Sequence, residues 1–167
     1  MHNNLSFNVR IEISAESDPV KYEIDKDSGL LFVDRFMPVS MMYPCNYGFV
    51  PDTLSGDGDP VDVMVYSSFP IIPGAMIKCR SIGVLLTEDE AGEDSKILAL
   101  PMPKIDPMLA KIEVYSQLPE IMIKKIEHFF ENYKKLESGK WVQINGWGDI
   151  KKAEEIIQQG VEAAKNL

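Results

Sequence analysis

Short runs of apolar residues, several of them alternating with polar ones, fill the first two thirds of the chain. They read FNVRIEI, VKYEID, LLFVDRF, VDVMVY, AMIKCRSIGVLL and SKILALPM. Segments rich in glycine, proline and aspartate lie between them, such as DKDSG, PDTLSGDGDP and FPIIPG. Runs of this length and composition predict β-strands joined by turns. Many short strands with such punctuation predict a small barrel or sandwich.

The spacing of apolar residues changes near residue 119, where the pattern becomes helical. Pro119 followed by Glu120 is typical of a helix start, and Ser138 and Gly139 predict its end. One face of this helix is apolar at spacings of three and four, at Ile123, Ile126, Phe129, Phe130 and Tyr133. A second helix is predicted from Asp149 as N-cap, with a packed stripe of Ala153, Ile156, Ile157, Val161 and Ala164. The predicted fold class is mainly β or α+β with the main helices late in the chain, in a single domain over residues 1–167.

Charge and composition narrow the classes of function. The 167 residues carry a formal net charge of −9, which disfavours binding to nucleic acid or to an anionic membrane surface. Two cysteines are too few for a secreted disulfide framework, and no apolar stretch approaches the roughly 18 residues that span a bilayer. We therefore expect a cytoplasmic protein with no nucleic-acid partner, no membrane segment and no signal peptide.

The segment SGDGDPVDVMVY places three aspartates, Asp57, Asp59 and Asp62, directly before and within a predicted strand. Such a cluster raises its own pKa values unless a positive charge lies nearby, and hard divalent cations are the natural partner of carboxylates. An EF-hand loop does not fit, because its fifth, sixth and twelfth positions would be Val61, Asp62 and Ser68. The alternative is that Asp57 and Asp59 are ordinary turn residues and Asp62 faces water from an edge strand.

Two further groups of charges accompany the cluster. The segment TEDEAGEDSK carries five acids ahead of Lys96, among them Asp89, Glu90, Glu93 and Asp94, and is, on its own, equally typical of a solvated hairpin tip. Predicted strands also contain Glu12, Lys21, Glu23 and Arg35. In VKYEID the charged residues share one strand face, which a solvent-facing strand with cross-strand ion pairs would also explain.

Taken together, these segments resemble the family I soluble inorganic pyrophosphatases. The family signature is intact as DGDPVDV, and KYEIDKDSGLLFVDRFM, YPCNYGFVP, DEAGED, HFFENYK and KWV follow the family in order. The resemblance covers residues 9–165, and the chain length resembles that of the compact bacterial members. It implies a five-stranded barrel of OB type with flanking helices, and assembly as a homohexamer.

The resemblance also implies a reaction, the Mg²⁺-dependent hydrolysis of pyrophosphate to two phosphates by a metal-activated water. Several Mg²⁺ ions per site are implied, with Mn²⁺ or Zn²⁺ as alternative ions. Asp59 resembles the general base. The implied metal ligands are Asp57, Asp62, Asp89 and Asp94, with Glu23 and Glu12 for a further ion or its water shell. The implied phosphate contacts are Lys21, Arg35, Tyr47, Lys96, Tyr133 and Lys134.

Two other functions fit part of the sequence. A non-catalytic module that binds divalent cations would explain the carboxylates, but not the lysines, arginine and tyrosines that accompany them. An OB-type nucleic-acid binder would suit the fold, yet it needs a basic, aromatic-lined face that the net charge of −9 does not favour.

Overall fold

The computed structural model describes residues 5–167, in which the chain forms nine strands, two α-helices and two short 3₁₀ turns. The strands are β1 (Ser6–Ile13), β2 (Val20–Ile24), β3 (Leu31–Phe36), β4 (Asn46–Phe49), β5 (Asp62–Val65), β6 (Met76–Asp89), β7 (Gly92–Glu93), β8 (Lys96–Pro101) and β9 (Val142–Gly148). The helices are α1 (Glu120–Asn132) and α2 (Ile150–Lys165), and the 3₁₀ turns span Pro107–Leu109 and Tyr115–Gln117. The prediction of a β-rich chain with late helices is confirmed.

Five of the strands close into a ring. β1 pairs with β4, β4 with β5, β5 with β8, β8 with β6, and β6 returns to β1. All of these pairs are antiparallel except β5 with β8. Closure leaves the ring without a free edge, as expected for the predicted five-stranded barrel of OB type.

The long strand β6 links the ring to the rest of the molecule. Its first half pairs with β1, whereas its second half pairs with β9, and its last residues pair with β7. β2 and β3 form a separate two-stranded hairpin. The second half of β6 and this hairpin both reach the cavity described below.

Both faces of β5 are buried, and they belong to different parts of the core. Val61, Val63 and Val65 pack in one cluster with Ala153 and Ile157 of α2. Met64 lies in the other cluster, with the α1 side chains Ile126, Phe129 and Phe130. The alternation read from VDVMVY is therefore confirmed, and it places Asp62 on the face that points away from α2.

Three strands do not follow from the sequence pattern: β4, β9 and the two-residue β7 (Gly92–Glu93), which lies in the segment that is also typical of a hairpin tip. β4 is short and contains Gly48, which reads as a turn residue; here a Cβ at Gly48 would lie 1.9 Å from the carbonyl oxygen of Arg10, so only glycine allows β1 and β4 to pair. β9 contains Asn145 and Gly146, a typical turn pair, with Gly146 at a φ of +108° inside a strand whose pairing shifts in register.

The structure agrees with the predicted start of α2 but not with the predicted end of α1. α2 begins as expected, because the Asp149 side chain accepts a hydrogen bond from the Lys152 N–H at 2.9 Å. α1 ends at Asn132, earlier than the predicted stop at Ser138 and Gly139. The residues that follow α1 turn instead, which brings Tyr133 and Lys134 to the cavity. Within residues 5–167, no helix has the length and apolar character needed to cross a membrane.

Candidate active site

One cavity of about 330 Å³ is lined by all thirteen residues that the sequence analysis proposed for the site. β1 contributes Glu12, β2 contributes Lys21 and Glu23, and β3 contributes Arg35. The remaining nine come from β4 to β8, their connecting loops and the residues after α1: Tyr47, Asp57, Asp59, Asp62, Asp89, Asp94, Lys96, Tyr133 and Lys134. The fold thus gathers groups that are more than 120 residues apart in the chain.

The loop before β5 places Asp57 and Asp59 at the mouth of the cavity. Asp57 Oδ1 accepts the Asp59 N–H at 3.0 Å, and the Ser55 N–H donates to the Asp59 carbonyl at 2.7 Å. Gly58 has a φ of +87°, a left-handed conformation that glycine adopts without strain. The Asp59 side chain is 68% exposed and its Oδ1 lies 3.8 Å from Lys26 Nζ. Asp59 is therefore much more accessible than Asp62, whose side chain is 24% exposed.

Lys96 occupies the floor of the cavity between two carboxylates. Its Nζ donates to Oδ2 of Asp62 at 2.8 Å and to Oδ2 of Asp94 at 2.9 Å, and its side chain is 5% exposed. Burial alone would lower the pKa of Lys96, but the nearby Asp62 and Asp94 carboxylates outweigh it and raise the pKa well above its ordinary value. The parallel pairing of β5 with β8 sets this contact, because it aligns Asp62 with Lys96.

The turn between β6 and β8 forms a second charged group. Lys134 Nζ donates to Oδ2 of Asp89 at 2.9 Å and lies 3.6 Å from Glu90 Oε1, which also lies 3.1 Å from Lys140 Nζ. Burial tends to raise the pKa of Asp89, but the hydrogen bonds from Lys134 and the Ala91 N–H lower it. This group holds Asp89 as a carboxylate.

The predicted phosphate contacts of the β2–β3 hairpin are paired with acids. Arg35 Nε lies 3.1 Å from Glu137 Oε1, and Arg35 NH1 lies 3.3 Å from Asp34 Oδ2. Lys21 Nζ lies 3.5 Å from the same Asp34 oxygen. These side chains are about one third exposed, so they can exchange an acid partner for a phosphate at modest cost.

Aromatic side chains form the wall between the cavity and the core. The Tyr133 ring stacks on Phe129 with centroids 5.3 Å apart, and Tyr133 also lines the cavity. Tyr47 is buried, its ring lies 5.6 Å from Lys96 Nζ, and burial raises the pKa of its hydroxyl. Both tyrosines can therefore act as neutral hydrogen-bond donors while their rings pack.

Three charged residues line the cavity without having been assigned a role: Lys26, Glu90 and Lys140. Glu90 and Lys140 lie in DEAGED and KWV, two segments that carry the family resemblance, and Lys26 lies in the turn that follows VKYEID. All three residues lie in segments that resemble the family, but hydrophobic periodicity does not distinguish them from ordinary charged surface residues.

Comparison with known proteins decides the family. The family model for inorganic pyrophosphatase matches residues 9–165. The chain belongs to this family. It is 58% identical over 160 residues to an inorganic pyrophosphatase of Rickettsia prowazekii, and the aligned part covers 96% of this chain and 93% of the relative. It is 54% identical over 158 residues to an inorganic pyrophosphatase of Vibrio parahaemolyticus, covering 95% of this chain and 90% of the relative.

Solved structures agree with this assignment. An inorganic phosphatase from Anaplasma phagocytophilum superposes with a TM-score of 0.94 at 51% identity, covering 98% of this chain and 96% of the other. The inorganic pyrophosphatase from Helicobacter pylori gives a TM-score of 0.94 at 44% identity, with 99% and 96% coverage. The resemblance to the pyrophosphatase family and its fold is confirmed.

Pyrophosphatases generally need divalent metal, and the charges of this cavity suit it. Eight carboxylate and six cationic side chains line the cavity, so acids are in excess. Burial and the nearby Asp62 raise the pKa of Asp94 although Lys96 opposes them, and burial raises the pKa of Asp57. Carboxylates with raised pKa values lack full compensation by cations, and an all-oxygen donor set is what Mg²⁺ and Mn²⁺ prefer.

Several of these carboxylates form ion pairs with lysines in this structure. Across residues 5–167, no three His, Cys, Asp or Glu side chains are arranged as a ready metal-binding group. Lys96 Nζ hydrogen-bonds to one oxygen of each carboxylate, Oδ2 of Asp62 and Oδ2 of Asp94. Since a carboxylate has about four acceptor positions, these pairs leave capacity for a cation.

Glu12 leads to a prediction about pH. Burial raises the pKa of its carboxyl from 4.5 to about 7, partly opposed by the hydrogen bond from the Ile24 N–H at 2.8 Å. The native protein keeps this proton where the unfolded chain has released it, so the contribution of Glu12 to stability is lost as pH rises from about 4.5 through 7. We expect Glu12→Gln to be more stable than the wild type in EDTA, by a margin that grows between about pH 5 and pH 8.

Urea denaturation at the two pH values measures this margin. Glu131→Gln, on the exposed surface of α1, is the matched control and should show no such growth. A Glu12→Gln margin that is constant or shrinks with pH would contradict the burial of this carboxyl.

Proposed function

We propose that this chain hydrolyses inorganic pyrophosphate to two phosphates and that Mg²⁺ is its natural ion. The observation that carries the proposal is a cavity in which excess carboxylates meet lysines, an arginine and tyrosines. A module that only stores cations needs the carboxylates alone. The accompanying cations suit a substrate with several negative charges, and membership of the pyrophosphatase family names that substrate.

The proposed metal ligands are Asp57, Asp62, Asp89 and Asp94, with Glu23 and Glu12 for a further ion or its water shell. When bound, divalent ions neutralise the charge on the diphosphate and lower the pKa of a coordinated water. The all-oxygen set favours Mg²⁺, and Mn²⁺ as an alternative, over Zn²⁺, which more often takes nitrogen and sulfur ligands.

Asp59 is proposed as the general base that takes the proton from the attacking water. Its carboxylate stands at the mouth of the cavity, and its N–H is fixed on Asp57 Oδ1 at 3.0 Å. A base needs reach to the water and a free lone pair, and both are consistent with its 68% exposure.

The cationic groups are proposed to bind and orient the two phosphoryl groups. Arg35 offers a planar fork of donors for one phosphate once it leaves Glu137, and Lys21 and Lys134 act as compact charges. Tyr47 and Tyr133 would donate neutral hydrogen bonds to phosphate oxygens. Lys96, held between Asp62 and Asp94, would contact the substrate from the floor of the cavity.

Domain organisation, cellular location and oligomeric state are also proposed. We propose one domain over residues 1–167, a cytoplasmic location and assembly as a homohexamer. Self-association has support in the exposed apolar side chains of the β2–β3 hairpin, where Phe32 is 53% and Phe36 76% exposed. The net charge of −9 argues against a nucleic-acid partner.

A phosphate-release assay tests the proposed function. We expect purified protein with pyrophosphate and millimolar Mg²⁺ to release two phosphates per substrate, to stop when EDTA is added, and to resume when Mg²⁺ is restored in excess. A heat-denatured sample is the control. Binding of Mg²⁺ without phosphate release above this control would instead favour the non-catalytic cation-binding module.

A further inference from the structure

The segment from Val50 to Val61, which carries Asp57 and Asp59, rests on the last turns of α2. The Leu54 N–H donates to the carbonyl of Gly160 at 3.0 Å, and both Thr53 and Gly160 are buried. This contact joins positions more than 100 residues apart, and no step of the proposed reaction uses it. It is therefore a structural support on which the mouth of the cavity depends.

Thr53 closes the base of this segment. Its hydroxyl donates to the Val50 carbonyl at 2.6 Å and accepts the Val61 N–H at 3.0 Å. The Val50 N–H also donates to the Val61 carbonyl at 2.9 Å. Both ends of the segment are thus tied to each other, so a displacement of Thr53 moves the loop as a unit.

Gly160 controls how closely α2 approaches this closed base. A Cβ on Gly160 would lie 2.7 Å from Val61 Cγ2 and 3.1 Å from Thr53 Cβ, closer than such atoms pack. Glycine is a poorer helix former than alanine, and Gly160 is not among the glycines with positive φ. Space against Val61 and Thr53, rather than backbone freedom, is the physical reason for a glycine here.

Two of the proposed metal ligands lie next to this contact between the loop and α2. Asp57 and Asp94 line the active-site cavity on one side and a second cavity, bordered by Leu54 and Gly160, on the other. Asp57 and Asp94 therefore lie between the active-site cavity and the second cavity beside α2.

We infer that Gly160 and Thr53 are positioning residues for Asp57 and Asp59: the Gly160 contact sets the depth at which the loop stands over the cavity. The inference rests on the proposed function, because it assigns these residues an effect on ion binding and turnover. Neither residue lines the active-site cavity.

Gly160→Ala tests the inference. A shift of the loop by a fraction of an ångström should weaken binding of Mn²⁺ to the substrate-free protein, followed by electron paramagnetic resonance, by about 10-fold. Turnover at saturating Mg²⁺ should fall by about 10- to 100-fold, since Asp59 moves with Asp57. The double variant Gly160→Ala/Val61→Ala removes the crowded Cγ2 atom and should recover most of the Mn²⁺ affinity.

Gly83→Ala is the matched control, because its Cβ would lie 2.7 Å from Tyr115 Cδ1, away from the loop. We expect it to lower the melting temperature without weakening Mn²⁺ binding. Thr53→Val and Thr53→Ser form a second pair: the first removes the hydroxyl that ties Val50 to Val61 and should weaken Mn²⁺ binding, and the second retains it and should not.

The outcomes separate the inference from the proposed function. A wild-type protein that binds Mn²⁺ but releases no phosphate overturns the proposed function. An active wild type whose Mn²⁺ affinity is unchanged in Gly160→Ala and Thr53→Val overturns the inference. So does an affinity loss in Gly83→Ala as large as that in Gly160→Ala, because crowding anywhere would then suffice.

Discussion

Asp59→Asn is expected to slow pyrophosphate turnover by about 10²- to 10⁴-fold while changing the affinity for divalent ions by little. The substitution keeps the shape of the side chain and its main-chain hydrogen bond to Asp57, but an amide cannot take a proton from water. Steady-state turnover at saturating Mg²⁺, together with Mn²⁺ titration of the substrate-free protein, separates these two effects.

Two other aspartates of the segment that carries Asp59 provide control variants. Asp52→Asn makes the same change at an exposed position outside the cavity lining, and should leave both quantities near the wild-type values. Asp57→Asn alters a proposed ligand and should weaken Mn²⁺ binding. If Asp59→Asn loses ion affinity as severely as Asp57→Asn, Asp59 is a ligand and not a base.

Lys96→Met is expected to lower the free energy of unfolding in EDTA by about 3–5 kcal/mol. Lys96 is 5% exposed and its ammonium group joins Asp62 and Asp94, so its loss leaves two carboxylates uncompensated in a partly buried site. Because Mg²⁺ can supply the missing positive charge, the deficit should shrink when Mg²⁺ is present. Urea denaturation with and without Mg²⁺ measures both quantities.

The control for this variant is Lys78→Met, an exposed lysine on β6. It should change stability by less than about 0.5 kcal/mol in either condition. A Lys96→Met deficit that is the same in EDTA and Mg²⁺ would mean that the ions do not bind at Asp62 and Asp94.

The sequence pattern predicts most of the barrel because its strands carry the signal of their own burial. β5 alternates Val61, Val63 and Val65 against Asp62 and Met64, and the two faces meet two different parts of the core. The pattern does not predict β4 and β9, because they contain glycines that allow close pairing or a register shift, whereas glycine in a sequence signals a turn.

The candidate site follows from motifs more than from periodicity. All thirteen proposed residues line one cavity, including Tyr133, which the sequence places on an apolar helix stripe and which packs on Phe129 just after α1 ends. Composition and spacing do not predict which side chains these thirteen residues contact in the folded chain. The contact of Lys96 with Asp62 depends on parallel pairing of β5 and β8, and Glu137 reaches Arg35 only through the turns that follow α1.

The contact between α2 and the segment from Val50 to Val61 has no local sequence pattern either. Gly160 lies in an ordinary amphipathic helix, and its importance depends on Val61 and Thr53, which approach it only in the folded chain. A glycine in a helix signals that something packs closely, but the sequence does not say what.

A crystal grown with Mn²⁺ tests most directly whether divalent ions bind in the cavity proposed for pyrophosphate hydrolysis. Anomalous scattering at the manganese edge locates the ions independently of the surrounding model. We predict strong peaks among the carboxylates of Asp57, Asp62, Asp89 and Asp94, with Asp59 facing them. Peaks confined to other surfaces, with Lys96 still bonded to Asp62 and Asp94 as the sole cation there, would contradict the account.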